Sequence, residues 1–115
     1  MCYNKNMEQN QFEIEFTLEA KNELAAFDSQ NQKRILLTLR NFEAFGRKAV
    51  NSRPLDNKGL FELKCGKTRA YFMYFGVKIV IIGPITLKKT GKAPERYKNE
   101  AHNRIASYIK ERDKK

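Results

Sequence analysis

A chain of 115 residues is long enough for one domain whose apolar core needs neither disulfides nor metal. With 41% hydrophobic and 31% charged residues it has the balance of a soluble globular protein, and no apolar run approaches the length that crosses a membrane. The formal charge of +10 is unevenly spread, net −4 over residues 1–30 and +14 over residues 31–115, which favours a polyanionic partner such as nucleic acid over a merely solubilising lysine surface.

The first eleven residues, MCYNKNMEQNQ, have no apolar core and are not a signal peptide; Met7 is an alternative start. Residues 1–11 are expected to be a poorly ordered extension, and residues 12–112 a single domain. Cys2 and Cys65 make neither a metal-ligand spacing nor a disulfide framework, so a reducing cytoplasm is the expected compartment. Cys65 continues an apolar strand face, as a small buried hydrophobe does.

Phe12, Ile14 and Phe16 alternate with Glu13 and Glu15, the pattern of a strand with one buried face. Thr17 suits the cap of a following helix, in which Ala20, Leu24 and Phe27 recur at helical spacing as far as Asp28. Ser29 or Asn31 restarts the chain as a second helix. Its apolar stripe is Ile35, Leu36, Leu39 and Phe42, and Gly46 ends it. Two amphipathic helices after a strand predict a helical hairpin laid on one face of a sheet. Residues 46–59 have no apolar periodicity and read as a loop. Arg47, Lys48 and Arg53 in it form a basic edge, suited to a phosphate backbone or simply solvated.

Leu60 to Cys65 alternates Phe61, Leu63 and Cys65 with Glu62 and Lys64, and Gly66–Lys67 makes a tight connection. Thr68 to Phe75 is almost wholly apolar or aromatic and predicts a central strand covered on both sides. Arg69 is the anomaly in it and needs a partner. Gly76 turns the chain into a last strand over residues 78–87, which Gly83–Pro84 bends or bulges. Pro94 suits a helix start, and Tyr97, Ala101, Ile105 and Tyr108 make that helix's apolar stripe. The order β-α-α-β-β-β-α predicts an α+β fold: a mostly antiparallel four-stranded sheet, an N-terminal helical hairpin on one face and a C-terminal helix.

Alternation puts Glu62 and Lys64 on one face of their strand, and Arg69 and Tyr71 on one face of the next. If both faces point away from the helical hairpin, these four meet Lys88 and Lys89 in a basic hollow. Thr90 and Lys92 follow in the turn before a helix N-terminus, a natural place to hold a phosphate. Such a hollow suits RNA cleavage. The 2′-hydroxyl loses a proton to a base, cations stabilise the pentavalent phosphate, and the departing 5′-oxygen takes a proton from an acid. Arg69 is the leading candidate, against a structural ion pair with Glu62; Lys88 and Lys89 follow, against a solvated turn. Tyr71 and Tyr97 are candidate rings for stacking a base, against ordinary packing. His102, the only histidine, reads as a surface residue, and no metal or other cofactor is expected.

GLFELK at 59–64, TRAYF at 68–72 and LKKTGKAPERYKNEAHNRIASY at 87–108 resemble the RelE/ParE superfamily of bacterial toxins, in particular its HigB-like, phage-derived branch. That branch shows an F-E-L-R strand, an arginine before aromatics, a K-K-T-x-K-x-P turn and an A-x-x-R helix. The matching residues are Phe61–Lys64, Arg69, Lys88–Lys89–Thr90, Lys92, Pro94, Ala101 and Arg104. The resemblance implies a type II toxin, a metal-independent endoribonuclease that enters the ribosomal A site and cuts mRNA there. It implies the 70S ribosome and mRNA as partners, a cognate antitoxin, usually a helix-turn-helix protein, and no membrane. By position, Arg69 would stabilise the phosphate, Lys64 and Lys88 or Lys89 would assist, and Tyr97 would approach the site. Two departures stand. Lys64 replaces a frequent arginine, and no histidine lies near Gly83–Pro84, so acid and base duty passes to Glu62, a lysine or a tyrosine. One rival is a ParE-like poison of DNA gyrase, which has no need of a phosphate-stabilising cluster. The other is a degenerate toxin that only binds RNA or ribosomes.

Overall fold

Caps and glycines divide the chain where its apolar periods change. The computed structural model describes residues 10–88 and 94–114. Strand β1 (Glu13–Phe16) leads into helix α1 (Leu18–Ala26), whose first turn is closed by Thr17 accepting the Ala20 N–H at 3.1 Å. Asp28 caps α2 (Ser29–Phe45) by accepting the Asn31 N–H at 3.2 Å, and Gly46 ends that helix with φ 86°. Strands β3 (Leu60–Cys65), β4 (Thr68–Phe75) and β5 (Ile79–Leu87) follow, and α3 (Glu95–Asp113) starts just after Pro94.

The stretch expected as a loop, 46–59, holds a 3-10 turn (Arg47–Ala49) and a three-residue strand β2 (Ser52–Pro54), so the sheet has five strands rather than four. Strand β2 is an edge strand, half exposed and closed by a proline. It is therefore too short and too polar to show alternation, and the edge tolerates the missing N–H. The strand order is β1-β5-β4-β3-β2, with β1 parallel to β5 and every other pair antiparallel.

Strand β4 lies in the centre and separates two cores. On one face Leu63, Cys65, Ala70, Phe72, Val80 and Ile82 pack beneath Ile35, Leu39 and Phe42 of the helical hairpin. On the other, Leu60, Tyr71 and Ile81 pack against Ala101 and Ile105 of α3. The predicted stripe of α3 is the one that is buried.

A bulge in β5 determines where the chain leaves the sheet. Ala70 pairs with Ile85 while Phe72 pairs with Ile82, so β5 spends one extra residue at Gly83–Pro84. Gly83 offers bare backbone to α3: a Cβ there would stand 3.3 Å from Ile105 Cδ1. Glu23 of α1 receives the Ile85 N–H at 3.0 Å, and Arg104 of α3 donates to the same carboxylate at 3.0 Å. One carboxylate thus clamps α1, the bulge and α3. Beyond it Leu87 stands opposite Thr68, and the Lys88 N–H bonds the Lys67 carbonyl at 2.8 Å, which brings Lys88 beside the β3–β4 turn. The far end of α3 is tied to β1, where Glu15 accepts from Tyr108 at 2.8 Å and from both Nε and Nη2 of Arg112. No helix among the described residues is long and apolar enough to cross a membrane.

Candidate functional site

The β3–β4 pairing sets Lys64 directly opposite Arg69, and Glu62 opposite Tyr71, on the face away from the helical hairpin. The condition for a basic hollow is met. Its walls are Lys64, Gly66, Lys67, Arg69, Leu87 and Lys88, enclosing about 400 Å³. Gly66, at φ +63°, makes the tight turn that lets both strands end there.

The Arg69 guanidinium is held from behind. Its Nη1 donates to the Gly66 carbonyl at 2.8 Å and to the Thr68 carbonyl at 2.9 Å, both in the turn that forms the hollow's rim. The alternative of an ion pair with Glu62 is not formed, because Glu62 takes Arg53 instead, Nε to Oε1 at 2.9 Å. Among the described residues none of Lys64, Lys67, Arg69 or Lys88 has a carboxylate within 4 Å. Water and salt screen cations at a surface, so a fold tolerates such a cluster without an anion. What the cluster offers is four cations for a phosphate, one of them a planar donor already oriented.

The other candidates are distributed more widely. Glu62 is buried, next to the Lys64–Arg69 pair but behind the wall, with Arg53 on it. Tyr71 is 2% exposed and meets the Tyr97 ring edge-on at 6.3 Å, so as a stacking surface it is corrected to a floor of packed aromatic side chains. Burial and the nearby Glu62 carboxylate push its phenol up to about 12, which keeps it protonated. Tyr97 lies between Tyr71 and the Arg96 guanidinium, 5.1 Å from its ring. Arg47 lies on the opposite face of the sheet, over Tyr74 at 4.5 Å, and Lys48 shares its 3-10 turn; these two are not brought to the hollow. Lys89, Thr90 and Lys92 fall outside the described residues. Arg104, part of the matching helix motif, serves the bulge clamp.

His102, expected as a surface residue, is partly exposed and has a partner. Its Nε2 lies 2.8 Å from Asp56 Oδ2, because the β2–β3 loop folds Asp56 back onto α3 while Asp56 Oδ1 takes the N–H groups of Lys58 and Leu60. Cys65 sits on the hairpin face, fully buried, with burial pushing its thiol up to about 12, so it is no nucleophile. The residue that sequence reasoning missed is Lys67. It was visible only as the second residue of a tight turn, and its place on the wall depends on the Lys88 chain returning to bond its carbonyl.

The chain matches the family described as Phage derived protein Gp49-like (DUF891) over residues 22–106. Among solved structures it resembles a double mutant of the Escherichia coli toxin RelE in the free state, at TM-score 0.61 and 16% identity, over 84% of this chain and 99% of that one. It also resembles the RelE–RelB complex of the archaeon Pyrococcus horikoshii OT3, at TM-score 0.60 and 14% identity, over 70% of this chain and 99% of that one. No curated protein matches it in sequence. At those identities the likeness is one of fold, and the family match covers most of the chain: it belongs to the Gp49-like family of phage-derived proteins.

Proposed function

We propose that this protein is the toxin of a type II toxin–antitoxin pair, an endoribonuclease that cleaves mRNA on the ribosome and so stops translation. The observation that supports it is the hollow at the β3–β4 turn, where Lys64, Lys67, Arg69 and Lys88 converge without carboxylate partners among the described residues. A gyrase poison has no need of that cluster.

In this reading the scissile phosphate sits against Arg69, whose guanidinium is aimed by the Gly66 and Thr68 carbonyls. The 2′-oxygen attacks phosphorus, the bond from phosphorus to the 5′-oxygen breaks, and a 2′,3′-cyclic phosphate and a 5′-hydroxyl result. The pentavalent intermediate carries one more negative charge than the diester, and Arg69 is the preset donor for it. Of the two lysines that flank Arg69, Lys64 and Lys88, one as the free amine takes the proton of the 2′-hydroxyl and the other as the ammonium gives a proton to the departing 5′-oxygen; Glu62 and Tyr71 are buried nearby. The charge is supplied by the chain's own cations, with no metal required. The partner that holds the toxin inactive is a cognate antitoxin, expected to be a helix-turn-helix protein. The Pyrococcus RelE was seen in complex with RelB.

The test is induced expression at matched protein level. Wild type arrests growth; Arg69→Ala, which removes a donor aimed at the transition state, lowers cleavage by about 10²–10³ and relieves the arrest while still binding antitoxin. Full toxicity of a folded Arg69→Ala protein contradicts the site. Arrested replication with intact message indicates the gyrase reading.

A further inference from the structure

A second hollow opens on the other side of the β3–β4 turn. It encloses about 440 Å³ and is lined by Asp28, Gln30, Asn31, Arg34, Gly66 and Lys67. Gly66 and Lys67 line both hollows, so the two flank the same turn. The Arg34 side chain crosses from α2 directly against Gly66. A Cβ at Gly66 would collide with Arg34 Cδ and stand 3.3 Å from its Nε. Glycine suits the position through its positive φ, and the exposed Arg34 side chain lies over the space that a Cβ would take.

The second hollow carries one carboxylate on its wall, Asp28, where the first carries none among the described residues, but its two cations are not paired with it. Neither Arg34 nor Lys67 has a carboxylate within 4 Å among the described residues. Asp28, the carboxylate on the wall, is occupied in capping α2 through the Asn31 N–H. Gln30 and Asn31 line the same wall with side-chain amides, which both donate and accept and so match the edges of a nucleobase. A lone phosphate would use one hollow. Cations continued around a turn, with amides beside the second group, suit a polymer that carries a phosphate on every unit.

We propose that this second hollow is the subsite for the nucleotide next to the scissile phosphate: Arg34 and Lys67 hold the neighbouring phosphodiester, and Gln30 and Asn31 contact its base. The proposal rests on the nuclease reading in naming RNA, but its test is binding and needs no cleavage. The probes are fluorescein-labelled 2′-O-methyl oligouridylates of two and six nucleotides, which cannot attack their own phosphates, measured by anisotropy across a salt series. The dinucleotide has one phosphodiester and reaches one hollow; the hexanucleotide spans both. Arg34→Gln should weaken the hexanucleotide about tenfold and lower the slope of log affinity against log salt by about 0.7, the value for one single-strand phosphate contact. It should change dinucleotide binding by less than twofold. Arg34→Lys should retain most of the affinity, and the remote Lys110→Gln should change neither probe.

An Arg34→Gln protein that binds the hexanucleotide like Lys110→Gln, with an unchanged thermal melt, overturns the subsite. So does competition by a hexaglutamate peptide at equal potency, which would make an acidic protein segment the occupant. Loss of hexanucleotide binding in Arg34→Gln, with no effect of Arg69→Ala on either probe, would keep the subsite and refute the first hollow instead.

Discussion

Glu23 is the side chain on which the placement of Lys88 depends, and its two duties can be separated. It accepts the N–H of Ile85, a residue 2% exposed, and it pairs with Arg104, whose side chain is 15% exposed. Glu23→Ala leaves a buried N–H without an acceptor, which costs roughly 1–3 kcal/mol, and removes a partly exposed ion pair worth at most about 1 kcal/mol. The total is about 2.5 kcal/mol. Glu23→Gln retains an amide oxygen for Ile85 and loses only the charge, so its cost should stay below about 1 kcal/mol. Unfolding entropy of about 2.1 cal/mol/K per residue gives roughly 0.24 kcal/mol per degree for a chain of this size, so Tm should fall by about 10 °C for Ala and at most about 4 °C for Gln. Urea unfolding and thermal melts at pH 7 measure both. Equal losses in the two variants would refute the hydrogen-bond argument and give the clamp to the ion pair; losses under about 0.5 kcal/mol in both would refute the clamp altogether.

Three further outcomes are expected. The hydrogen bond from Arg112 is the largest influence on Glu15; together with the Tyr108 hydroxyl it outweighs burial and holds the carboxyl below its usual value of 4.5. The stability this contributes is fully present above the usual carboxylate range and is lost as pH falls through the lower folded value. The Tm gap between wild type and Glu15→Gln should therefore be widest near pH 7 and close below about pH 4; a gap independent of pH would contradict the pairing. Cys65, buried and with its thiol pushed up to about 12, should resist an aromatic disulfide reagent at pH 8 in the folded protein and react promptly in denaturant. In a Cys2→Ser protein, where Cys65 is the one thiol left, rapid labelling of the native state would contradict that burial. Gly83→Ala crowds Ile105 Cδ1 at 3.3 Å and should cost about 1–3 kcal/mol in urea unfolding, while Gly76→Ala, where a Cβ has open space, pays only for its φ of 69°. A Gly83→Ala cost under about 0.5 kcal/mol would contradict the close approach of α3 to the bulge.

Much of this was legible because it rests on local rules. The stripe of α3, the caps at Thr17 and Gly46, and the central place of β4 follow from spacing and residue type, and each stands where the spacing put it. Alternation groups Glu62 with Lys64 and Arg69 with Tyr71, and the β3–β4 register makes the two faces one. What spacing does not carry is which long side chain reaches which partner. Glu62 has both Arg53 and Arg69 within range on paper. Register decides for Arg53, because β2, too short to read, lies directly across from it. The partner of His102 is similarly beyond the reach of spacing, since Asp56 lies 46 residues away in a loop with no periodicity. Lys67 and Arg34 stayed hidden for a related reason. They flank a turn whose tightness was visible, but their meeting needs the hairpin, the sheet and the β5 exit in place together.

The most direct measurement is primer extension on a reporter mRNA during induced expression of wild type and of Arg69→Ala. The account predicts new 5′ ends inside the coding region with wild type, present only when the message is translated, and none with Arg69→Ala at equal protein level. Intact message in wild-type cells that have stopped growing would contradict it.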